Sequence, residues 1–193
     1  MPYLDNIAFS MECQAFAIEN PILDKERHTL NFHAHSRNTI FDIFCPHCNS
    51  HHVHQNKIYT RAIRGVPFTP GIQTTIHTDV KSFECQDCKK VFSEEIPFLY
   101  PGTRITNSLA RWVKELLPIS SITSISKLFN INWETVKGIH KELITTTLRQ
   151  RRAQQVKDGY RPRYLGVDEF AIHKGHRYAT VVMDLETGEV LWV

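Results

Sequence analysis

The stretch from Ser121 to Leu143, SITSISKLFNINWETVKGIHKEL, predicts two helices joined by a tight turn. Three residues would face inward from the first helix: Ile125, Ser126 and Phe129. Asn130 falls at the turn position that needs a left-handed backbone, which Gly and Asn adopt most easily. Asn132 is a suitable N-cap for the second helix. Together these positions predict a helix-turn-helix.

The residues around this turn extend the prediction to three helices. Ile131 would fill the turn, and the second helix would bury Trp133, Val136 and Ile139. A preceding helix, from Arg104 to Leu117 and stopped by Pro118, would supply a third wall. The inward residues of that wall are Leu109, Trp112, Val113 and Leu116.

Basic residues are concentrated around the predicted helices. The chain has 193 residues and a net charge of +3, but residues 103–163 hold 12 Lys and Arg against 4 Asp and Glu, a balance of +8. Such a stretch is either an ordinary solvated helix face or a surface for nucleic-acid phosphates. The helix-turn-helix inside it favours double-stranded DNA.

In this class of motif the second helix lies in the major groove, and its first turns contact base edges. The residues left facing outward are Glu134, Thr135, Lys137, Gly138 and Lys141. We expect Thr135, Lys137 and Lys141 to contact DNA. The arginines that follow would contact phosphates, which add affinity without sequence information; they are Arg149, Arg151 and Arg152.

Two cysteine pairs, Cys45-Pro-His-Cys48 and Cys85-Gln-Asp-Cys88, stand 36 residues apart. Two turns of this spacing can place four thiolates around one Zn²⁺, which prefers such a closed site for structural purposes. The spacing suits a zinc ribbon with each pair on its own β-hairpin. Four histidines near the first pair are alternative ligands: His47, His51, His52 and His54. Cys13 has no partner at ligand spacing.

Disulfide bonds are the other use of paired cysteines. No secretory signal is recognisable near the N-terminus, and no apolar run is long enough to cross a bilayer. We therefore expect a reducing, cytoplasmic setting with no membrane partner, which favours metal over disulfides. The sequence leaves monomer and homodimer open.

The hydrophobic pattern divides the chain into three blocks and indicates an α+β multidomain protein. Residues 28–44 and 71–84 alternate as strands do, residues 104–148 have a helical period, and alternation returns near Arg161. We expect an N-terminal segment with a zinc ribbon at 1–102 and a helix-turn-helix domain at 103–157. Residues 158–193 would begin a further β-rich domain.

The last block contains the strand Tyr164–Phe170, which we expect to be buried and to present the adjacent carboxylates Asp168 and Glu169. Strands would follow at 176–183 and 189–193, joined by a turn that uses Asp184 and Glu186. RNase H-like nucleases place their first metal-binding Asp on the first strand of such a meander, and two-metal catalysis needs further carboxylates.

The order of the two cysteine pairs, the helix-turn-helix and the segment YLGVDEFAIHKGHRYATVVMDLETGEVLWV resembles transposases of the ISL3 family of bacterial insertion sequences. The resemblance begins near residue 20. It implies a zinc finger held by the four cysteines, DNA binding, and an RNase H-like DDE domain that cuts and joins DNA with Mg²⁺. Asp168 matches the first catalytic Asp of that domain.

The second Asp and the Glu of the family have no counterpart in this sequence. We therefore expect a C-terminally truncated chain that binds insertion-sequence ends but is inactive alone, with Mg²⁺ relevant only to a complete catalytic domain. Two alternatives stay open: a zinc-ribbon and helix-turn-helix transcription regulator, and a metal-dependent nuclease.

Overall fold

The computed structural model describes residues 16–19, 21–39, 42–173 and 177–192. Cys13, Ile40 and the start of the strand expected at 176 lie outside these residues. The chain divides into two compact units, Met1–Leu143 and Ile144–Val193. The three-domain organisation stays a prediction.

The first unit contains a six-stranded mixed sheet. Its strands are β1 (Phe16–Ile18), β2 (Ile22–Asp24), β3 (Thr29–Ser36), β4 (Val53–Thr69), β5 (Ile72–Cys85) and β6 (Val91–Ser93). The main order is β1-β3-β5-β4, while β2 also pairs with β3 and β6 with β5. β3 runs parallel to β5, and every other pairing is antiparallel.

Strand β4 is the longest of the strands that the sequence did not predict, and β1, β2 and β6 are the others. The side chains of residues 54–60 are all exposed, so the first half of the strand lacks apolar alternation. It forms because β5 pairs with it from Val53 to Thr69. The two strands are joined at Pro70 and Gly71, and Gly71 has φ +86°, which suits the position after Pro in a type II turn.

The alternation predicted for β3 and β5 is confirmed within the described strands. Phe32, Ala34, Ile76 and Val80 are buried in one core with residues from β1, β4 and the segment after β6. The strand predicted over 28–44 nevertheless ends at Ser36, and residues 42–52 contain no strand.

Three helices follow the sheet: α1 (Asn107–Leu116), α2 (Ile122–Phe129) and α3 (Trp133–Lys157). Thr106 caps α1 through a hydrogen bond from the Leu109 N–H, and Ser121 caps α2 through one from the Ser124 N–H. α1 therefore begins three residues later than predicted, because Thr106 supplies the cap.

Two tryptophans expected in the helical core are largely exposed. Trp112 is 55% exposed because the buried face of α1 runs through Leu109, Ala110 and Val113 and places Trp112 at its margin. Trp133 is 40% exposed at the start of α3. The remaining inward residues are buried or half-buried as predicted.

The second unit contains the antiparallel meander β7 (Leu165–His173), β8 (Arg177–Asp184) and β9 (Val190–Trp192). The prediction that the first of these strands is buried was wrong, because Leu165, Val167 and Phe170 are 56%, 67% and 48% exposed. None of the helices among the described residues is long and apolar enough to cross a membrane.

Candidate nucleic-acid interface and metal centre

The turn between α2 and α3 has the predicted geometry. Asn130 ends α2 in the left-handed conformation, with φ 49° and ψ 51°. The Ile131 N–H donates to the Ser126 carbonyl at 3.1 Å, and the Ser126 hydroxyl donates to the Ile131 carbonyl at 2.7 Å. Ile131 itself is buried in the helical core. These contacts fix the angle at which α3 leaves the turn.

The first turns of α3 present a mostly polar outer face. Asn132 caps the helix as predicted, since its side-chain oxygen accepts the Glu134 N–H at 2.8 Å. Glu134, Lys137, Gly138 and Lys141 are exposed, and Thr135 is half-buried. Lys137 lies over the Trp133 ring, with Nζ 5.0 Å from its centroid, and 3.8 Å from the Glu134 carboxylate.

A polar contact braces α3 against α1. The Glu142 carboxylate accepts hydrogen bonds from the Tyr100 hydroxyl and, at 3.0 Å, from Lys114 Nζ. Both donors hold the pKa of Glu142 below its usual range, Tyr100 first and Lys114 second. These bonds join α3 to α1 and to the segment before it.

The four cysteines predicted as metal ligands come together. Among the described residues they form the one group close enough to share a metal ion, with all sulfur atoms within 4.8 Å of one another. The Cys45–Cys88 and Cys48–Cys85 sulfur distances are 3.6 Å and 3.5 Å. Four sulfurs at the usual Zn–S distance stand ~3.8 Å apart in a tetrahedron. This donor set fits Zn²⁺ without a histidine.

The two cysteine turns have the same backbone hydrogen bonds. In the first, the Asn49 N–H donates to the Cys45 carbonyl and the Cys45 N–H to the Ser50 carbonyl, both at 2.8 Å. The second repeats both bonds at 3.0 Å, with Lys89 and Lys90 in the equivalent positions. Asn49 and Lys89 both have left-handed backbones, with φ 58° and 59°.

These turns also supply donors to the sulfur atoms. The His47 N–H lies 3.4 Å from the Cys45 sulfur, and the Cys88 N–H lowers the pKa of the Cys85 thiol to about 7. Backbone donors of this kind favour the thiolate, which is the form that binds metal.

Only the second cysteine turn lies on a β-hairpin, formed by β5 and β6. The first leads into β4 from residues 42–52, which form no strand, so the expectation of one hairpin for each turn was wrong within the described residues. The His52 ring is 3.4 Å from Asp87 of the other turn, and the Gln86 N–H donates to the His52 carbonyl at 2.8 Å, which joins the two segments.

The arginines predicted to contact phosphates lie in the second unit and have internal partners in two cases. Arg151 pairs with Glu189 at 3.1 Å, and Arg152 donates to the Leu191 carbonyl at 2.9 Å. Arg149 is exposed and forms no ion pair within the described part of the chain.

Asp168 lies exposed in β7, opposite Val181 of β8, and accepts the Glu169 N–H at 2.8 Å. Asp184 is buried at the end of β8, where it accepts the Tyr160 hydroxyl and the Glu186 N–H. The turn role expected for Asp184 fits these bonds.

The sequence did not single out a group of arginines beside the helix-turn-helix. Arg61 and Arg64 of β4 and Arg104 of the segment before α1 line a cleft of about 460 Å³, which Asn132 and Thr135 also line. Two of the arginines lie on the unpredicted strand, so sequence periodicity gave no signal for them.

A three-helix unit with this turn and this outer face belongs to the helix-turn-helix class of DNA-binding domains. Residues 94–144 match the family model described as the helix-turn-helix domain of transposase family ISL3. The chain is also 30% identical, over 151 residues and 78% of its length, to the transposase for insertion sequence element IS1001 of Bordetella parapertussis. These two matches support an ISL3-family transposase fragment, in which residues 94–144 form the transposase DNA-binding part.

The matched region spans 36% of the length of the IS1001 transposase. No solved structure matches the chain.

Proposed function

We propose that this chain recognises the ends of an insertion sequence through its helix-turn-helix during transposition. The observation that carries the proposal is the turn at Asn130, which directs a capped helix outward inside a region matched to the helix-turn-helix of transposases. A helix held in this way can enter the major groove with its first turns against the bases.

Different residues on the outer face of α3 and beyond it would contact bases and phosphates. Thr135 and Lys137 lie in the first turns and would contact base edges, and Lys141 would contact base or phosphate. Lys137 would exchange its contacts with Trp133 and Glu134 for the DNA. Arg149 would bind phosphate, whereas Arg151 and Arg152 could do so only on leaving Glu189 and the Leu191 carbonyl.

Zn²⁺ held by Cys45, Cys48, Cys85 and Cys88 would have a structural role. Four thiolates occupy every position of a tetrahedral site and leave none for a substrate or an activated water. The ion would join the start of β4 to the β5–β6 turn and thereby hold the long hairpin in register.

The meander β7–β9 would be the start of an RNase H-like DDE domain, with Asp168 as its first catalytic carboxylate. Apolar side chains exposed on both faces of β7, such as Val167 and Phe170, are consistent with a sheet that packs against further structure. Glu169 lies next to Asp168 and therefore points to the opposite face of the strand. Asp168 alone cannot align two Mg²⁺ ions, so this polypeptide should not cleave DNA.

The proposal is tested by fluorescence anisotropy with duplexes that carry an end of the insertion sequence or a shuffled version of it. We expect tighter binding to the end and a steep fall in affinity with salt, because phosphate neutralisation releases counterions. Thr135→Ala and Lys137→Ala should change the preference between the duplexes. Equal affinity for both duplexes would contradict end recognition and favour a general DNA-binding role.

The absence of catalysis is tested by incubating supercoiled plasmid with the protein and Mg²⁺ or Mn²⁺. We expect no nicking, and Asp168→Asn should bind DNA as the unsubstituted protein does. Metal-dependent nicking that Asp168→Asn abolishes would contradict this part of the proposal and identify a nuclease.

A further inference from the structure

The cleft beside the first turn of α3 is lined by three arginines that lie outside the helices. Its arginines come from strand β4 and from the segment that leads into α1, namely Arg61, Arg64 and Arg104. Asn132 and Thr135 line the same cleft from the helix-turn-helix. The cleft therefore lies between the sheet that carries the cysteines and the start of α3.

Two of the guanidinium groups are positioned by neutral partners. Arg61 donates to the Thr103 carbonyl at 3.1 Å, and Arg64 donates to the side-chain oxygen of Gln73 at 3.3 Å. Each bond uses one of the five N–H donors of a guanidinium group and leaves the others available. Arg104 lines the cleft and is exposed.

Backbone hydrogen bonds hold the arginine-bearing segments together. The Arg64 N–H donates to the Arg104 carbonyl at 2.8 Å, and the Thr106 N–H donates to the Arg64 carbonyl at 2.9 Å. The three arginines are therefore fixed relative to Thr106, the cap of α1, and move with the helix-turn-helix.

Within the part of the chain that the structure describes, no carboxylate lines the cleft and none of its three arginines forms an ion pair. Arg64 is half-buried, and burial lowers the pKa of its guanidinium group. Placing three like charges together and removing one from water costs free energy unless an anion compensates them. The arrangement indicates an anionic ligand.

We propose that Arg61, Arg64 and Arg104 bind a phosphate of the DNA backbone next to the groove that α3 enters. This inference rests on the proposed function, because the ligand is the DNA that the helix-turn-helix binds. Guanidinium groups suit the role because they can bind phosphate oxygens through two parallel hydrogen bonds. The N-terminus of α3 adds a favourable dipole on the same side.

A phosphate contact at this point would set the register of the helix on the duplex without reading a base. The β-sheet domain would then be part of the DNA interface as well as the support of the metal site. Loss of the contact should weaken binding to every sequence by the same factor.

The test compares full-length Arg104→Gln with Arg27→Gln by anisotropy at several salt concentrations. Arg104 is exposed, so its replacement should leave the fold intact; Arg27 is an exposed arginine of the same sheet, in the turn between β2 and β3. We expect Arg104→Gln to lose roughly ten- to a hundredfold in affinity, the size of one hydrogen bond to a charged group. The slope of log affinity against log salt should fall by about 0.9, the contribution of one phosphate.

Arg27→Gln should bind as the unsubstituted protein does, and Arg104→Lys should restore part of the affinity because a lysine keeps the charge. Arg61→Gln should lower affinity for the insertion-sequence end and for the shuffled duplex equally. If Arg104→Gln and Arg61→Gln bind with unchanged affinity and slope while end preference persists, the inference is wrong and the proposed function stands. If the unsubstituted protein binds neither duplex, both fail.

Discussion

The hydroxyl of Ser126 donates a 2.7 Å hydrogen bond to the carbonyl of Ile131, across the turn that joins α2 to α3. The bond satisfies a backbone carbonyl that the turn would otherwise leave without a partner. Ile131 meanwhile packs into the helical core. The small side chain of Ser126 allows α2 and α3 to approach closely, and its hydroxyl group holds the turn between them.

The left-handed backbone at Asn130 makes the turn sensitive to substitution. Asn130→Ala should lower the free energy of unfolding by about 1 kcal/mol, because a Cβ without a compensating polar group is unfavourable in this conformation. Asn130→Gly should be close to neutral. Chemical denaturation of the three proteins checks the order, and an alanine variant as stable as the glycine variant would contradict it.

The cysteine cluster should contain one zinc ion per chain. Elemental analysis of protein purified under reducing conditions measures it directly, and protein without zinc would falsify the assignment. Cys45→Ser should lose the ion and unfold the sheet of the first unit, because small metal sites contribute folding free energy. Cys13→Ser is the matched control and should retain both the ion and the fold.

The His77 ring stacks on the His33 ring, with centroids 5.2 Å apart, and this pair predicts a pH dependence of stability. Burial first, and the nearby His33 ring second, lower the pKa of His77 below 6.5. The unfolded chain therefore takes up this proton first, so stability is highest above pH 6.5 and falls as pH decreases from 6.5 through the folded pKa. Urea denaturation across this range should show a shallower fall for His77→Gln than for the unsubstituted protein.

Gly138 lies exposed in α3, and an added Cβ would meet no atom within 4 Å. Gly138→Ala should therefore stabilise the helix by up to about 1 kcal/mol. The same methyl group would stand on the face that we place against DNA, so affinity for DNA should decrease. Thermal unfolding and anisotropy measured on the same sample separate the effects. A variant that is more stable and binds DNA with unchanged affinity would contradict the placement of this face against DNA.

The parts of the structure that the sequence predicted share a local cause. Each of three residues of the turn bonds to groups at most five residues away in the chain: Ser126, Asn130 and Asn132. Their roles could therefore be predicted from the local sequence. The same is true of the cysteine turns, where a fixed spacing defines the geometry of each pair of thiols.

The parts that the sequence missed depend on contacts between distant segments. β4 exists because β5 pairs with it, and its exposed first half has no apolar pattern of its own. The arginine cleft follows from β4, since it needs Arg64 and Arg104 bonded together across 40 residues of chain. Trp112 was misplaced because it follows the three- and four-residue spacing of the apolar residues, whereas the centre of the α1 interface lies toward Ala110.

The central claim is that the first turns of α3 contact the DNA of an insertion-sequence end. Amide chemical shifts of the ¹⁵N-labelled protein, recorded while such a duplex is added, test it residue by residue. The account predicts that the largest changes occur between Asn132 and Lys141, with a second group at Arg61, Arg64 and Arg104. Changes confined to the second unit, with α3 from Asn132 to Lys141 unaffected, would contradict it.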